Sequence, residues 1–410
     1  MSATLSFDGP LPASGQFIKT LRQSCTAARL ASDITISEEA IDAFVRSLDR
    51  DTFERLKGQH GVSFPLTFPS IATEVNFLSI LALLNTLSAY RRAFHEVTGQ
   101  GAYQNVTRLL MGMYISSPDS DTSSLSKLSA QGLATLTEAD VATLLNVPLH
   151  SERPHDTIPG LIVGTRGGPL LEPIQLVVKI CNDTGKRLLD MNAANLGEFV
   201  IRILIEANAG AAQKGDAAGC ELFVDKLVSA LPGFADMTVL QPNKEPVYLF
   251  KKAFFLLFAL RVRLAKISAD LKVPDIASLP MFVDNVIPTM LVHYKILQFG
   301  PSAPESLRSW AQAAQAEQPS SSDAGAPAKA PPTEGPLLSK EDAYRVRAAA
   351  LDAGTVVVAR MQSIIQNNAN LAWLSTASEV DLDGYLWAVA KDDPKLRKVP
   401  RLVERGTVMY

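Results

Sequence analysis

The chain has 410 residues, of which 47% are hydrophobic and 20% are charged. A chain of this length and composition can bury a large core, which excludes a wholly disordered protein. Lysine and arginine number 39 against 42 acidic residues, a formal net charge of −3. This balance argues against a dedicated binder of duplex nucleic acid, which usually carries a basic excess. A local basic pocket for a single phosphate is compatible with it.

The three cysteines, Cys25, Cys181 and Cys220, are far apart in the sequence and form no CxxC pair. We therefore expect no disulfide framework and no zinc site. The first residues lack the basic start and apolar core of a signal peptide. The longest uncharged apolar run, residues 253–260, is far shorter than the roughly 20 residues that span a bilayer. We expect a cytoplasmic monomer without membrane association.

Helical periodicity dominates the chain. Ser37, followed by Glu38 and Glu39, predicts a capped helix start, and the apolar stripe of that helix begins at Ile41. Further helices are predicted over residues 77–90, 105–114, 138–145, 174–189, 196–207, 222–231, 251–271, 289–299 and 341–365. A small hairpin is predicted between residues 238–240 and 247–250. The fold class is mainly α, with at most a small β-hairpin.

Residues 301–338 differ in composition from the rest of the chain. They are rich in Pro, Ala and Ser and contain no Ile, Val, Phe or Tyr, which predicts a disordered insertion. The residues after it contain Leu371, Trp373, Leu386 and Trp387, which need a partner to bury them. We therefore predict one helical domain formed by residues 16–300 and 339–410, after a flexible N-terminus at residues 1–15.

Asp284 is the most notable candidate for a functional acid. It lies between apolar residues, with Pro280 four positions before it and Pro288 four positions after it. One interpretation is an aspartate that caps the following helix. The other is a partly buried carboxylate that acts on a ligand. A capping carboxylate can also face a ligand, so both interpretations can hold.

Lys251 and Lys252 precede the most apolar predicted helix. Two cations at this position can hold a phosphate, or they can form a solvated helix end. The glycine-containing segments at residues 164–169 and 184–186 lack the full Gly-Lys-Ser/Thr ending of a phosphate loop. We interpret them as a turn and as part of a helix.

Four motifs in order resemble the queuosine salvage family, the queuosine 5′-phosphate N-glycosylases. They are Asn182-x-Thr184-Gly185-Lys186, Val247-x-x-Phe250-Lys251-Lys252-Ala253, Met281-Phe282-x-Asp284 with a proline four residues later, and Leu382-Asp383-x-Tyr385-Leu386-Trp387 followed by Pro400 and Tyr410. Their order and spacing fit from about residue 16 to residue 410.

The resemblance implies a helical domain similar to helix-hairpin-helix DNA glycosylases. It also implies hydrolysis of the N-glycosidic bond of queuosine 5′-phosphate, a small-molecule nucleotide, which frees queuine for reinsertion into tRNA. This reaction is expected to need no metal or organic cofactor. Asp284 occupies the place of the catalytic aspartate, and Lys251 the place of a 5′-phosphate ligand. The other residues that the resemblance places around the substrate are Asn76, Phe77, Tyr103, Met281, Phe282, Asn285 and His293.

Some positions depart from the family pattern. Asn285 replaces the aromatic residue that usually follows the aspartate, and Arg345 stands where an acid is expected. These departures indicate a divergent member. Two alternatives to the enzyme are a nucleotide-binding relative that does not hydrolyse its ligand, and a helical interaction protein whose residues 301–338 recruit a partner.

Overall fold

The structure, a computed structural model, describes residues 4–58, 61–117, 126–155, 157–264, 271–316, 332–366 and 368–410. Most of these residues are helical, so the predicted mainly α fold class is confirmed. The similarity to helix-hairpin-helix DNA glycosylases stays a prediction. The α-helices are α1 (Phe17–Ala31), α2 (Glu38–Ser47), α3 (Arg50–Leu56), α4 (Ile71–Leu83), α5 (Arg91–Thr98), α6 (Ala102–Ile115), α7 (Ala130–Ala134), α8 (Glu138–Leu145), α9 (Leu171–Asp190), α10 (Leu196–Lys214), α11 (Asp216–Ala230), α12 (Lys251–Leu264), α13 (Val286–His293), α14 (Glu305–Gln315), α15 (Lys340–Ile365) and α16 (Glu379–Asp392). Short 3-10 helices cover Ser88–Tyr90, Pro232–Phe234, Ala369–Thr376 and Leu396–Lys398.

The strands of the described residues form separate two-stranded sheets. The predicted hairpin is present: β4 pairs antiparallel with β5, and Thr238 lies opposite Val247. The sequence did not reveal the other three pairs, in which β1 lies beside β6, β2 beside β3, and β7 parallel to β8. The strands are β1 (Ile34–Ile36), β2 (His150–Pro154), β3 (Ile162–Arg166), β4 (Met237–Leu240), β5 (Glu245–Tyr248), β6 (Leu297–Phe299), β7 (Glu334–Leu337) and β8 (Arg401–Val403).

Helix α15 is the central helix of the core. It packs along α1 and also contacts α2, α13 and α16, which joins the C-terminal part of the chain to the N-terminal part. By length and composition alone, α15 could span a membrane, and α4 together with Ser88–Thr98 passes only as a pair bent by 67°. Core helices meet the same criterion, and half of the apolar window of α15 is buried inside the protein.

The N-terminal residues that the structure describes are packed, which corrects the prediction of a flexible segment at residues 1–15. The backbone N–H of Leu5 donates to Asp183 of α9 at 2.7 Å. The Tyr248 hydroxyl donates to the Pro10 carbonyl, also at 2.7 Å. Composition missed this arrangement because the contacts join residues more than 170 positions apart. Residues 1–3 lie outside the described part of the chain.

The predicted disordered insertion at residues 301–338 also needs correction. Helix α14 occupies part of it and buries an apolar face at the helical spacing i, i+3, i+4, i+7, formed by Leu307, Trp310, Ala311 and Ala314. The Trp310 indole N–H donates to the Pro400 carbonyl at 3.2 Å. The composition misled us because one tryptophan and small alanines supply enough apolar surface without Ile, Val, Phe or Tyr. The central part of the predicted insertion, residues 317–331, lies outside the described residues.

Two predicted helices end earlier than the apolar pattern indicates. Helix α4 ends at Leu83, and Leu87 then adopts a left-handed backbone conformation (φ 71°) that separates it from the next turn. Helix α13 ends at His293, since Lys295 is left-handed (φ 61°) and the following residues pair as β6. Apolar periodicity continued through both breaks. The predicted end of α12, residue 271, follows residues 265–270, which the structure does not describe.

Candidate active site

Residues 279–285 lead into α13 without forming a helix or strand, and an acid of α16 holds their backbone. Asp383 accepts the backbone N–H of Phe282 at 2.8 Å. Glu379, one helical turn before Asp383, lies near the backbone N–H of Met281, which opposes the rise that burial causes in the pKa of Glu379. Because acids four residues apart lie on one helix face, both acids face this segment.

A buried arginine of α15 fixes the next residue. Arg347 donates from Nε and Nη2 to the Val283 carbonyl at 3.2 and 2.9 Å. The same guanidinium forms a two-pronged ion pair with Asp236, at 3.1 and 2.6 Å. Asp236 also accepts the Tyr344 hydroxyl at 2.8 Å, and the guanidinium lies 3.9 Å from the ring centre of Tyr410. Both charged side chains are completely buried, so this pair is a rigid support beneath Asp284.

Asp284 caps helix α13, as one of the two interpretations predicted. Its Oδ1 accepts the backbone N–H of Val286 at 2.6 Å and that of Ile287 at 3.4 Å. The neighbouring Asn285 donates its amide to the Leu402 carbonyl at 3.1 Å, which joins the start of α13 to β8. Asp284 is only 6% exposed. The cap therefore fixes a buried carboxylate, and Oδ2 takes part in neither capping bond.

Three cations act on the Asp284 carboxylate, namely Lys251, Lys391 and Arg401. Lys251 begins α12, and its ammonium donates to the backbone and side-chain oxygens of Asn85 at 2.9 and 3.1 Å. Burial lowers the pKa of Lys251 to about 8, and the negative charge of Asp284 opposes that shift. Lys251 is thus a partner of the carboxylate.

Lys252 has a different position and role from Lys251. Its ammonium donates to the carbonyls of Leu83, at the end of α4, and Gly233, at 2.8 and 3.0 Å. Burial holds the pKa of Lys252 well below its usual value, and the charge of Lys251 lowers it further. Both lysines are buried, so the alternative of a solvated helix end is wrong.

Tyr103 and Trp387 form an aromatic wall next to these cations. Their ring centres are 5.7 Å apart in an edge-to-face arrangement. The Lys391 ammonium lies over the ring of Trp387 and 5.7 Å from the ring centre of Tyr103. The structure thus brings Tyr103, a predicted site residue, into the neighbourhood of Asp284 through Lys391.

Asn76 and Phe77 lie in the core, and Asp284 is not among the contact partners described for them. The Asn76 amide donates to the Leu128 carbonyl at 3.2 Å and accepts the backbone N–H of Gly197 at 3.0 Å. Phe77 is completely buried in an aromatic cluster with Phe64, Phe68 and Tyr114. Asn76 is seven residues, about 10 Å of helix, from the end of α4 where Lys252 binds. The contacts described for Asn76 and Phe77 therefore stabilise the core.

Met281 and Phe282 also pack into the core. Met281 lies against Gly354 of α15, where an added Cβ would come within 2.5 Å of the methionine methyl group. The Phe282 ring lies 5.7 Å from that of Phe258 on α12. Both side chains are buried. They position the segment that carries Asp284.

His293 is at the opposite end of α13 from Asp284. An eight-residue helix is about 12 Å long, and the His293 ring forms a hydrogen bond of 2.8 Å to the Ala314 carbonyl of α14. The predicted contact of His293 with the substrate is therefore not supported by its position. Its bond instead joins α13 to α14.

Sequence reasoning missed Arg91, Lys391 and Arg401. The sequence could have pointed to two of them. Trp387 and Pro400 belong to the C-terminal motif, Lys391 is one helical turn after Trp387, and Arg401 follows Pro400. Arg91 begins α5, and its guanidinium donates to the Arg397 carbonyl at 3.2 Å. No local pattern connected it to the site.

The two described cavities lie elsewhere. One is a void of about 10 Å³ lined by apolar side chains such as Phe94 and Val177. The other is a surface cleft of about 410 Å³ between β6 and α14 that includes Lys295 and Arg308. Neither includes Asp284 among its lining residues. Within the described ranges, no group of three His, Cys, Asp or Glu side chains could hold a metal ion.

Two comparisons with known proteins bear on identity. No curated protein matches the chain. The family model described as queuosine salvage protein matches residues 174–319, which include Lys251, Asp284 and the segment before it. This match supports the family that the motifs predicted. Through residues 174–319 the chain is similar to the queuosine salvage protein family.

Proposed function

We propose that this protein hydrolyses the N-glycosidic bond of queuosine 5′-phosphate and releases queuine. The observation that carries the proposal is the position of Asp284. Its carboxylate is buried and fixed by two backbone N–H groups, within the field of three cations. The family match supports an enzyme of queuosine salvage.

The reaction needs a fixed anion near the sugar. As the bond between C1′ and the glycosidic nitrogen breaks, the base takes the electron pair and positive charge develops on the ribose ring. A preorganised carboxylate stabilises that charge or orients the attacking water. The water oxygen bonds to C1′ and a proton passes to the base nitrogen, which gives queuine and ribose 5-phosphate. Queuine is a 7-deazaguanine without N7, so hydrogen bonds at its other edge must assist departure.

The supports beneath Asp284 fit this role. Electrostatic stabilisation is most effective when the charged group is already oriented and does not reorganise during the reaction. Here Phe282 and Val283 are anchored through their backbone before Asp284, and Asn285 is anchored after it. This arrangement favours a carboxylate that keeps one position.

A second candidate function is that of a relative that binds a nucleotide without hydrolysing it. It is favoured by the positions of Asn76 and Phe77, whose recorded contacts are all within the core. The base pocket implied by the family resemblance is therefore altered. This alternative predicts that queuosine 5′-phosphate raises the melting temperature without being consumed.

The test is release of queuine from queuosine 5′-phosphate by the purified protein, with Asp284→Asn beside it. Asparagine keeps an oxygen that accepts the cap N–H but loses the charge, so we expect turnover to fall at least about 10²–10³-fold. The matched control is Asp49→Asn, because Asp49 caps α3 by accepting the Thr52 N–H at 2.9 Å. Equal turnover in Asp284→Asn and the wild type would refute the role of Asp284. No turnover in any of the three proteins, with ligand binding retained, would support the second candidate.

A further inference from the structure

Three cations from distant parts of the chain form a cluster. They are Arg91 at the start of α5, Lys391 near the end of α16, and Arg401 at the start of β8. Asp284 acts on two of them, Lys391 and Arg401. Burial lowers the pKa of Arg91 to about 8 and that of Arg401 to about 10, and the charge of Arg401 lowers that of Arg91 further. The charges of both arginines also lower the pKa of Lys391. Their positive charges are therefore close together and mutually repulsive.

Two donors of this cluster lack an acceptor. Arg401 is 7% exposed, and its Nη2 donates to the Ala390 carbonyl at 3.0 Å, but its Nε is buried without a hydrogen-bond partner among the described residues. Arg91 uses Nη2 for the Arg397 carbonyl, while its buried Nη1 likewise has no partner within the described ranges. Buried donors without acceptors are unfavourable and rare in folded proteins. An anion between them would satisfy both.

We propose that Arg91, Lys391 and Arg401 form a binding site for a phosphate group. Guanidinium groups bind phosphate through parallel N–H donors, and an ammonium adds a point charge. Asp284 balances one positive charge of the cluster, which leaves an excess that favours a phosphate dianion. The rings of Trp387 and Tyr103 lie beside the Lys391 ammonium.

This proposal rests on the proposed function in one respect: the bound group is the 5′-phosphate of the nucleotide. It differs from the prediction that Lys251 binds the phosphate, because the ammonium of Lys251 uses two of its three N–H donors on the oxygens of Asn85. Asp284 acts on both Lys391 and Arg401. The phosphate site and the carboxylate are therefore neighbours, as one nucleotide requires.

Inorganic phosphate is the first probe, and calorimetric titration at constant ionic strength measures its binding. We expect Arg91→Gln and Arg401→Gln each to weaken phosphate binding at least tenfold. Arg46→Gln is the matched control, since Arg46 is exposed and pairs with Asp42 on α2, and it should bind phosphate as the wild type does. Should one variant fail to fold, the other and Lys391→Met still decide the outcome. Absence of binding to the wild type, or equal binding by all variants, would overturn the proposal.

A second measurement separates nucleotide phosphate from free phosphate. The ratio of kcat/KM for queuosine 5′-phosphate to that for the unphosphorylated nucleoside should fall at least tenfold in Arg401→Gln. An unchanged ratio would overturn the assignment to the 5′-phosphate. Titration of inorganic phosphate needs no turnover, so it can succeed even if hydrolysis of queuosine 5′-phosphate fails. Conversely, hydrolysis without phosphate binding would refute only the phosphate site.

Discussion

The buried ion pair between Arg347 and Asp236 gives a quantitative test of how the candidate site is supported. Arg347→Met removes four hydrogen bonds, two to Asp236 and two to the Val283 carbonyl. It leaves Asp236 without its positive partner in a completely buried position. Loss of one partner from a buried pair typically costs about 3–5 kcal/mol of unfolding free energy.

For a chain of 410 residues, the unfolding entropy is about 0.9 kcal/mol/K, so such a loss corresponds to a decrease in melting temperature of roughly 3–6 °C. Asp236→Asn should be destabilising as well, because it leaves the Arg347 charge unpaired. The double variant removes both charges, so its loss should be smaller than the sum of the single losses by about 2 kcal/mol or more.

Guanidinium denaturation followed by circular dichroism measures the four unfolding free energies of this cycle. The reasoning would be refuted if the single variants lost less than about 1 kcal/mol, or if their losses were simply additive. In a variant that still folds, movement of Val283 would displace Asp284. We therefore expect queuine release to fall in Arg347→Met even below its unfolding temperature.

Two further predictions concern Glu404 and Gly197. Burial raises the pKa of Glu404 to about 7, above its ordinary value of 4.5. The folded state therefore binds the Glu404 proton more tightly than the unfolded state does. The free energy of unfolding should fall by about 3 kcal/mol in total as the pH rises from 4.5 to 7. Glu404→Gln can still accept the Tyr410 hydroxyl, and denaturation curves recorded across this pH range should show no such fall. An identical pH dependence in the variant would contradict the raised pKa of Glu404. Gly197→Ala should cost about 1–3 kcal/mol, because a Cβ would lie 2.5 Å from the Asn76 backbone. Gly164→Ala, which has open space around its Cβ, is the control, and equal melting temperatures for both variants would contradict the close contact of α4 and α10.

Local signals predicted much of the secondary structure. Ser37 caps α2 through the Ala40 N–H at 3.2 Å, and the hairpin has the predicted pairing. Such features depend on a few neighbouring residues, which a sequence displays directly. The α14 face was present in the sequence too, but a compositional argument concealed the spacing of Leu307 and Trp310.

The candidate site was only partly predictable, because its residues are far apart in the sequence. Asp284 stands out because prolines flank it and because its motif resembles a known family. Arg91, Lys391 and Arg401 are separated by up to 310 positions, and only the packing of α5, α16 and β8 brings their charges together. The motif resemblance also could not show that Asn76 is fully engaged in joining α4 to α10.

The wide sequence separation of the site has a consequence for how the chain folds. Asp284 is anchored through residues as late as Leu402, and the Thr86 hydroxyl bonds to the carbonyl of Tyr410, 324 positions away. Contacts that close such long loops form slowly, and chains of this length usually fold through intermediates. During synthesis, the helices before α13 can form and pack early, but the carboxylate cannot reach its final environment until β8 has left the ribosome. The surroundings of Asp284 should therefore be complete only after residues 401–403 have been made.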